Sequence, residues 1–416
     1  MIKPKIKVVI GANYGDEGKG LATDYFTQQA TGPVLNVLYN GGPQRGHTVE
    51  HKNGLRHIFH HFGSGFFSGA STYFDENFLV DPIKFNIEHC ELLDQAKYFT
   101  DMTEEEAIEC AICFCNPNCR VITPWDAMAN QILQEGTNTC GCGIWQTIER
   151  YNCLTADACD IKSMCDMSDE ALKLHLHNIA WWTLFKLIHH KQIDLSKMQD
   201  ALPEQYGKIW FDEKLVQNFV YDIRQMASRI VFTTFQYIAD DYDTIIFEGG
   251  QGLGLNGAGG LDDITCSFSC KDLTPSDTGS LIPISLCDGV SDDIEICYVT
   301  RTYVTRHGDG ELPFECTKEE LGITETDITN QSNQFQGDLR YGEFSWPFLI
   351  NRINDDYNRS SQPVQFDVDK TLMVTHCDIT KSNQHNYILC ADSLSRFDDC
   401  YISASPYSEE VEVWHP

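Results

Sequence analysis

The segment Val8–Asp24, VVIGANYGDEGKGLATD, constrains the fold more than any other stretch of the chain. It opens with a β-branched run, VVI, which is typical of a strand buried on both faces. Glycines follow at positions 11, 15, 18 and 20, and a segment able to begin a helix starts at Leu21. This order predicts a phosphate cradle, because glycines let the backbone approach a ligand and free N–H groups at a helix start favour an anion.

The glycine loop also carries three charged side chains, Asp16, Glu17 and Lys19. They offer a cation for phosphate and a carboxylate for a metal ion or for proton transfer. The loop is not a Walker A motif, which needs Gly five residues before its Gly-Lys pair and Ser or Thr after the Lys. Here Asn13 and Gly20 stand at those positions. The usual hydroxyl ligand of Mg²⁺ is therefore missing, and Asp16 is the candidate to replace it.

A second glycine cluster, Tyr39–Thr48 (YNGGPQRGHT), follows the next predicted strand. Together the two clusters resemble the adenylosuccinate synthetase family, in which a GDEGKG loop and a GG-x-x-x-GHT loop face each other across the reacting atoms. The resemblance implies an α/β fold related to P-loop NTPases. We expect a single large domain over residues 1–416, with a central, mainly parallel sheet flanked by helices.

The charge of the chain limits its partners. It has 30 Lys and Arg against 61 Asp and Glu, a formal net charge of −31. Such a surface repels nucleic acid and anionic membranes, so we expect neither as a partner. No apolar stretch approaches the length of a membrane span, and the N-terminus has no signal-peptide pattern. These features predict a cytoplasmic protein, in the host cytoplasm if the source is viral.

Two clusters of possible metal ligands leave alternatives open. Nine of the 18 cysteines lie between Cys110 and Cys165. They could bind zinc, but C-x-x-C-x-C is not a common zinc spacing, and free thiols that pack as small hydrophobic groups are favoured. Five histidines lie within positions 47–61. For these, solvated side chains on a strand and loop are favoured over a metal cluster.

Three later segments imply a site for a substrate purine nucleotide. The stretch NTCGCGI resembles the family's phosphate-binding TTGRGIG, and FEGGQG resembles FEGAQG. In the third, DITCS, Thr265 matches the family's second phosphate-binding Thr. The resemblance assigns to this site Gln44, Thr139, Cys140, Gln251 and Thr265. Cys142 replaces the family's Arg between the glycines, and Arg150 is the offset counterpart of an Arg that in the family reaches into the partner subunit.

The stretch Asn333–Gly342, NQFQGDLRYG, stands where the family has its aspartate-binding loop. It implies that Gln336, Gly337 and Arg340 bind L-aspartate, in the compact form of the archaeal and phage branch. The strand-like TLMVTHCD resembles the family's TKLD segment, with His376 in place of Lys. Asp378 is kept, and its carboxylate could accept hydrogen bonds from guanine N1–H and N2–H₂.

The two glycine clusters, together with Asp378, supply the implied nucleoside triphosphate (NTP) site. It comprises Gly15, Glu17, Gly18, Lys19, Gly20, Gly46, His47, Thr48 and Asp378. The implied cofactor is Mg²⁺, held by Asp16 and the backbone carbonyl of Gly46.

The resemblance implies a ligase that joins L-aspartate to C6 of a 6-oxopurine nucleoside monophosphate through a 6-phosphoryl intermediate. Asp16 is the predicted base for N1, with Glu17 the other carboxylate of the loop. His47 would hydrogen-bond the transferring phosphoryl group, and Lys19 would offset its charge. Gln251 would orient the 6-oxygen.

Several alternatives stay open from the residues. The substrate is dGMP or GMP by a slight preference, since PQR precedes GHT and the aspartate loop has the phage-like form; IMP is the close alternative. The NTP is GTP or ATP, and a homodimer is expected. Two other hypotheses are a nucleotide-binding switch protein and an inactive homologue. The second nucleotide site argues against the switch protein. The intact Asp16, Lys19 and His47 argue against the inactive homologue.

Residue patterns also predict the main elements. Helices are expected over 88–97, from 103, over 125–134, from a cap at Ser168 to about 190, and over 211–239. Strands are expected over 34–40, 120–123, 243–247, 294–305 and 371–378.

Overall fold

One large sheet organises the residues that the computed structural model describes, which are 3–133, 140–153, 158–193, 202–255, 277–308, 310–324, 337–361, 368–379 and 387–415. The described strands are β1 Lys5–Gly11, β2 Val34–Leu38, β3 His47–Glu50, β4 Arg56–Phe59, β5 Ser71–Phe74, β6 Leu79–Val80, β7 Cys113–Cys115, β8 Arg120–Val121, β9 Ile230–Phe232, β10 Thr244–Gly252, β11 Ile294–Arg301, β12 Val304–Arg306, β13 Glu315–Cys316, β14 Arg340–Gly342, β15 Val368–Thr375, β16 Cys400–Ile402 and β17 Glu412–Trp414. The described α-helices are α1 Lys19–Gln29, α2 Pro82–Phe99, α3 Glu104–Ala111, α4 Pro124–Leu133, α5 Ile144–Asn152, α6 Ile161–Asp166, α7 Asp169–His190, α8 Glu204–Gly207, α9 Glu213–Ala227, α10 Phe235–Ile238, α11 Leu281–Cys287, α12 Lys318–Leu321, α13 Trp346–Ser361 and α14 Ala391–Leu394.

Within the described residues, ten strands form the main sheet in the order β17-β16-β15-β11-β1-β10-β2-β5-β7-β9. Neighbouring strands pair in parallel, except β16 with β17, which are antiparallel. The predicted class, α/β with a central and mainly parallel sheet, is confirmed. No helix in the described part of the chain is long and apolar enough to span a bilayer.

Strand β1 lies in the middle of this sheet and is covered on both faces. Val8 and Ile10 pack in a cluster with apolar residues of α11 and α13, whereas Val9 packs with residues of α1. All three side chains are fully buried. Burial on both faces explains why the strand is a continuous β-branched run rather than an alternating one.

The parallel pairing brings several loops to one edge of the sheet. The carboxyl ends of β1, β2, β10, β11 and β15 lie at this edge because these strands run in the same direction. Ligands bind at such an edge in open α/β sheets. Both glycine clusters, the FEGGQG segment and the THCD segment therefore meet there.

Two predicted elements were wrong. The predicted helix over 211–239 ends at Ala227, and β9 then pairs in parallel with β7, so the aromatic and β-branched stretch extends the sheet edge instead. The predicted strand over 294–305 breaks after Arg301, and β12 joins a separate small sheet with β14 and β13. By contrast, the cap of α3 at Thr103 and the cap of α7 at Ser168 are confirmed.

Candidate functional site

The loop between β1 and α1 presents an open helix N-terminus. Gly18 caps α1 with φ 100°, and the first turn has neither a side-chain cap nor an acidic residue. A Cβ on Gly20 would lie 2.8 Å from the carbonyl oxygen of Thr48. Glycine is thus required for the close approach of α1 to β3, and the free N–H groups of the first turn are available to an anion.

Glu17 and Lys19 form a buried ion pair inside this loop. Lys19 Nζ lies 2.7 Å from Glu17 Oε2, and each side chain is 2% exposed. The other carboxylate oxygen, Oε1, accepts from the backbone N–H groups of Asn13 at 3.1 Å and Gly15 at 2.8 Å. Burial would raise the pKa of Glu17, but Lys19 and these contacts lower it below its usual value. The Glu17 carboxylate therefore stabilises the conformation of the loop. The backbone of Glu17, rather than its side chain, would contact an NTP.

Residues at the ends of β11, β12 and β15 hold the loop in place through three consecutive carbonyls. Thr305 Oγ1 donates to the carbonyl of Gly15 at 3.2 Å, and Thr375 Oγ1 donates to that of Glu17 at 2.7 Å. Arg301 Nε donates to the carbonyl of Asp16. No motif in the sequence indicates this role of Arg301, which stands within a predicted strand.

Asp16 adopts a left-handed backbone conformation, with φ 62°. Its Oδ2 lies 3.6 Å from Nε2 of His307. Burial raises the pKa of Asp16, with Arg301 and His307 opposing the shift. A raised pKa brings a carboxylate nearer to the range in which it accepts and releases protons in catalysis.

His47 is held by a buried carboxylate from the FEGGQG segment. His47 Nδ1 lies 2.5 Å from Oε1 of Glu248, and Arg45 Nη2 lies 3.0 Å from the same oxygen. Burial and then the Arg45 charge lower the pKa of His47 to about 4, although Glu248 opposes them. Burial would raise the pKa of Glu248, but Arg45 and His47 hold it at about 2. The ring is therefore neutral at pH 7 and donates from Nδ1 to Glu248.

A cavity of about 370 Å³ unites most of the predicted NTP-binding residues. Its lining includes Asp16, Glu17, Gly18, Lys19, Gly20, Gly46, His47, Thr48 and Asp378. The sequence did not predict that Arg301, Tyr303, Tyr341 and Ser403 would also line it. His376 lies there too, and burial, followed by the Arg301 charge, lowers its pKa well below the usual value.

Those residues predicted for the purine nucleotide that the structure describes, Gln44, Cys140 and Gln251, lie outside the lining of this cavity. Gln251 is half-buried at the penultimate position of β10, and Asn40 Oδ1 accepts from the neighbouring Gly250 N–H at 2.7 Å. Both the Oε1 and Nε2 atoms of Gln44 are buried and find no hydrogen-bond partner among the described residues. Cys140 is half-buried ahead of α5. Thr139 and Thr265 lie outside the described residues.

Arg150, the offset counterpart of the arginine that in the family reaches into the partner subunit, is directed into its own chain. Its side chain is fully buried, with Nε 3.0 Å from Asp126 Oδ1 and Nη2 2.8 Å from Asp126 Oδ2. The same Nη2 donates to the carbonyl of Val121 at 2.6 Å. Because these groups occupy the guanidinium within its own chain, Arg150 is not placed to reach a partner subunit.

The predicted aspartate-binding arginine has other contacts. Arg340 makes a two-point ion pair with Glu315, with distances of 2.8 Å from Nε and 2.6 Å from Nη2. Its Nη1 donates to the carbonyls of Gly308 and Gly310. Binding of L-aspartate would require exchange of Glu315 for the ligand. Gly337 is described, whereas Gln336 lies outside the described residues.

Among the described residues, no group of three or more His, Cys, Asp or Glu side chains is arranged to hold a metal ion. In the His-rich stretch, His57 and His61 instead flank the buried Glu88 at 3.5 and 3.8 Å.

Comparison with known proteins identifies the fold and the family. The model of the family described as adenylosuccinate synthetase matches residues 8–336. An adenylosuccinate synthetase of Francisella philomiragia is 26% identical over 318 residues, which is 74% of this chain and 65% of that protein. The Bacillus subtilis enzyme is 23% identical over 329 residues, 76% of this chain and 66% of that protein. The chain thus spans just under two thirds of the Francisella relative.

Two solved structures share the fold. Fully ligated adenylosuccinate synthetase of Plasmodium falciparum superposes with a TM-score of 0.67 at 15% identity, covering 99% of this chain and 100% of that chain. Succinoaminodeoxyadenylate synthetase of cyanophage S-2L, bound to dGMP and dATP, gives a TM-score of 0.61 at 14% identity and covers 100% of this chain and 96% of that chain. The family model matches more than half of the chain, and the fold agrees with that match. This chain therefore belongs to the adenylosuccinate synthetase family.

Proposed function

We propose that the chain is a carbon–nitrogen ligase acting on a 6-oxopurine nucleoside monophosphate, L-aspartate and an NTP. The purine 6-oxygen attacks the γ-phosphorus, and the nucleoside diphosphate leaves. The aspartate amine then attacks C6 and displaces inorganic phosphate. The products are the N6-succinyl purine nucleotide, the diphosphate and phosphate.

The observation that carries this proposal is that Asp16, Lys19 and His47 line one cavity at the N-terminus of α1. Asp16 would take the N1 proton, and its raised pKa suits that role. Lys19 and the first turn of α1 would stabilise phosphoryl charge. Glu248 fixes the ring of His47, and the other ring nitrogen, Nε2, would face the phosphoryl group. To donate a hydrogen bond to that group, His47 would need to be in the imidazolium form. The negative charge of the nearby phosphate favours this form.

The residues fit the proposed Mg²⁺ cofactor. Asp16 offers a carboxylate, and the exposed Gly46 offers a backbone carbonyl on the same cavity. Mg²⁺ prefers oxygen ligands and is often held by one or two carboxylates with substrate phosphates. Bound there, the ion would neutralise charge on the β- and γ-phosphates. Asp378, on the cavity wall, is our candidate for recognising guanine in GTP, with ATP as the alternative.

For the purine we favour dGMP or GMP. The buried amide of Gln44 offers an acceptor and a donor with no partner among the described residues, and its oxygen could accept from the 2-amino group of guanine. The cyanophage protein that shares the fold was solved with dGMP. IMP is the second candidate, because the curated relatives are named adenylosuccinate synthetases.

A steady-state assay tests the proposal. Purified protein is given dGMP, GMP or IMP with L-aspartate, Mg²⁺ and either ATP or GTP. We expect phosphate release that needs all the substrates, together with a succinyl adduct identified by mass spectrometry. Phosphate release without aspartate, or no turnover with any purine, would favour a switch protein or an inactive homologue. A homodimer remains our prediction for the assembly.

A further inference from the structure

A Cys-Gly-Cys sequence, residues Cys140, Gly141 and Cys142, lies directly ahead of α5. Cys142 Sγ lies 3.0 Å from Nζ of Lys84, which belongs to α2. The same sulfur lies 3.7 Å from the carbonyl oxygen of Cys140. Both cysteines are half-buried residues.

The surroundings of Cys142 favour the thiolate. Helix α5 begins at Ile144 after Gly143, and its first turn has neither a side-chain cap nor an acidic residue. Its partial positive charge therefore adds to that of the Lys84 ammonium. The hydrogen bond from the Cys140 thiol lowers the pKa of Cys142. Burial and Asp81 oppose this shift, whereas the Lys84 ammonium adds to it, and the pKa of Cys142 stays below its usual value. The same hydrogen bond and burial raise the pKa of Cys140.

Other cysteines of the same stretch have a different environment. Cys113 and Cys119 are fully buried. Burial raises the pKa of each thiol well above the usual value. They are inert packing residues, whereas Cys142 combines access with a nearby cation.

We propose that Cys140 and Cys142 form a thiol–disulfide exchange site whose substrates are small disulfides such as oxidised glutathione. The site stands on its own geometry and does not depend on the ligase activity. In the first step the Cys142 thiolate attacks one sulfur of the disulfide, which forms a mixed disulfide and releases one glutathione thiolate. Cys140 then loses its proton and attacks the Cys142 sulfur, which closes the Cys140–Cys142 disulfide and releases the second thiolate. Two protein thiols are oxidised and one glutathione disulfide is reduced.

The backbone allows this closure. Each trans peptide spans about 3.8 Å, so the Cα atoms of residues two apart lie within about 7 Å, near the range of disulfides. Gly141, between the two cysteines, has φ 70°, a conformation that glycine adopts without strain. Closure also removes the thiolate that pairs with Lys84.

The tryptic fragment 121–150 makes the test specific, because Cys140 and Cys142 are the two cysteines of its sequence. Native protein is treated with oxidised glutathione, alkylated and digested. We expect the fragment to lose two hydrogens and to resist alkylation. In Cys140→Ser protein the glutathione adduct should persist on Cys142. A wild-type fragment that keeps two alkylatable thiols would overturn the proposal.

The pH dependence of alkylation tests the role of Lys84. In wild-type protein the alkylation rate of Cys142 should rise with a midpoint clearly below about pH 8.5, the value of an unperturbed cysteine. In Lys84→Met protein the midpoint should move up by about one unit or more, because the facing cation is lost. Lys97→Met, an exposed site on the same helix, is the matched control and should leave the midpoint unchanged. An unchanged midpoint in Lys84→Met would overturn the proposed activation.

Discussion

Nδ1 of His47 lies 2.5 Å from Oε1 of Glu248, although 201 residues separate the two in sequence. Glu248 is itself held by Arg45 and by the backbone N–H and hydroxyl of Ser64. The carboxylate therefore fixes both the orientation and the tautomer of the imidazole. This contact connects the second glycine cluster to the middle of β10, and it positions the histidine at the cavity wall.

Replacement of His47 by Asn should lower kcat more than it raises the KM for aspartate. The reason is that His47 is proposed to act on the phosphoryl group rather than on the amino acid. Loss of one such preorganised contact typically costs about 10²- to 10³-fold in kcat. Steady-state kinetics with aspartate as the varied substrate measures both constants. A change confined to the KM for aspartate would move His47 to the amino-acid site.

Asp16 is best tested with Asn, because Asn tolerates the left-handed backbone at φ 62° better than Ala does. The Asp16→Asn change removes the base while keeping the side-chain shape. We expect turnover to fall by about 10²- to 10⁴-fold, the usual contribution of general acid–base catalysis. Purine nucleotide binding, measured by calorimetry, should change little. Activity above a tenth of wild type would contradict the role of Asp16 as the base.

The sequence allowed prediction of the glycine loop, α1 and the sheet class because their signals are local. A Cβ on Gly11 would lie 2.3 Å from Glu17 Oε2, so close packing within a few residues accounts for that glycine. The hydrogen bond from Arg301 to the Asp16 carbonyl depends on which strands pair in the sheet, and no short sequence pattern encodes strand pairing. The helix predicted over 211–239 failed for the same reason: only pairing with β7 makes β9 a strand.

Asp75 should make the free energy of unfolding fall as pH rises. Its carboxyl is 1% exposed, and burial raises its pKa to about 6, although hydrogen bonds from Asn77 oppose the shift. A folded-state pKa above the unfolded value gives stability that is complete below about pH 4 and lost as pH rises through 6. A shift of about two units corresponds to about 3 kcal/mol.

Thermal unfolding at pH 4 and pH 8 checks this expectation. The drop in melting temperature between the two should be smaller in Asp75→Asn than in wild type, because Asn carries no charge. Asp101→Asn, an exposed acid, serves as the control and should match wild type. Equal drops in wild type and Asp75→Asn would show that Asp75 is already ionised at little cost.

The last prediction concerns the purine and the buried amide of Gln44. If its oxygen accepts from the 2-amino group of guanine, Gln44→Met should lower kcat/KM for dGMP and spare IMP, which lacks that group. Met has nearly the length of Gln but offers no comparable acceptor, so a buried donor on the ligand would stay unpaired at a cost of about 1 to 3 kcal/mol, or about five- to a hundredfold. Gln217→Met, at an exposed position of α9, is the control. Equal losses of kcat/KM for dGMP and IMP would mean that Gln44 does not recognise the 2-amino group. A competition assay with both IMP and dGMP that gave adenylosuccinate alone would make IMP the substrate.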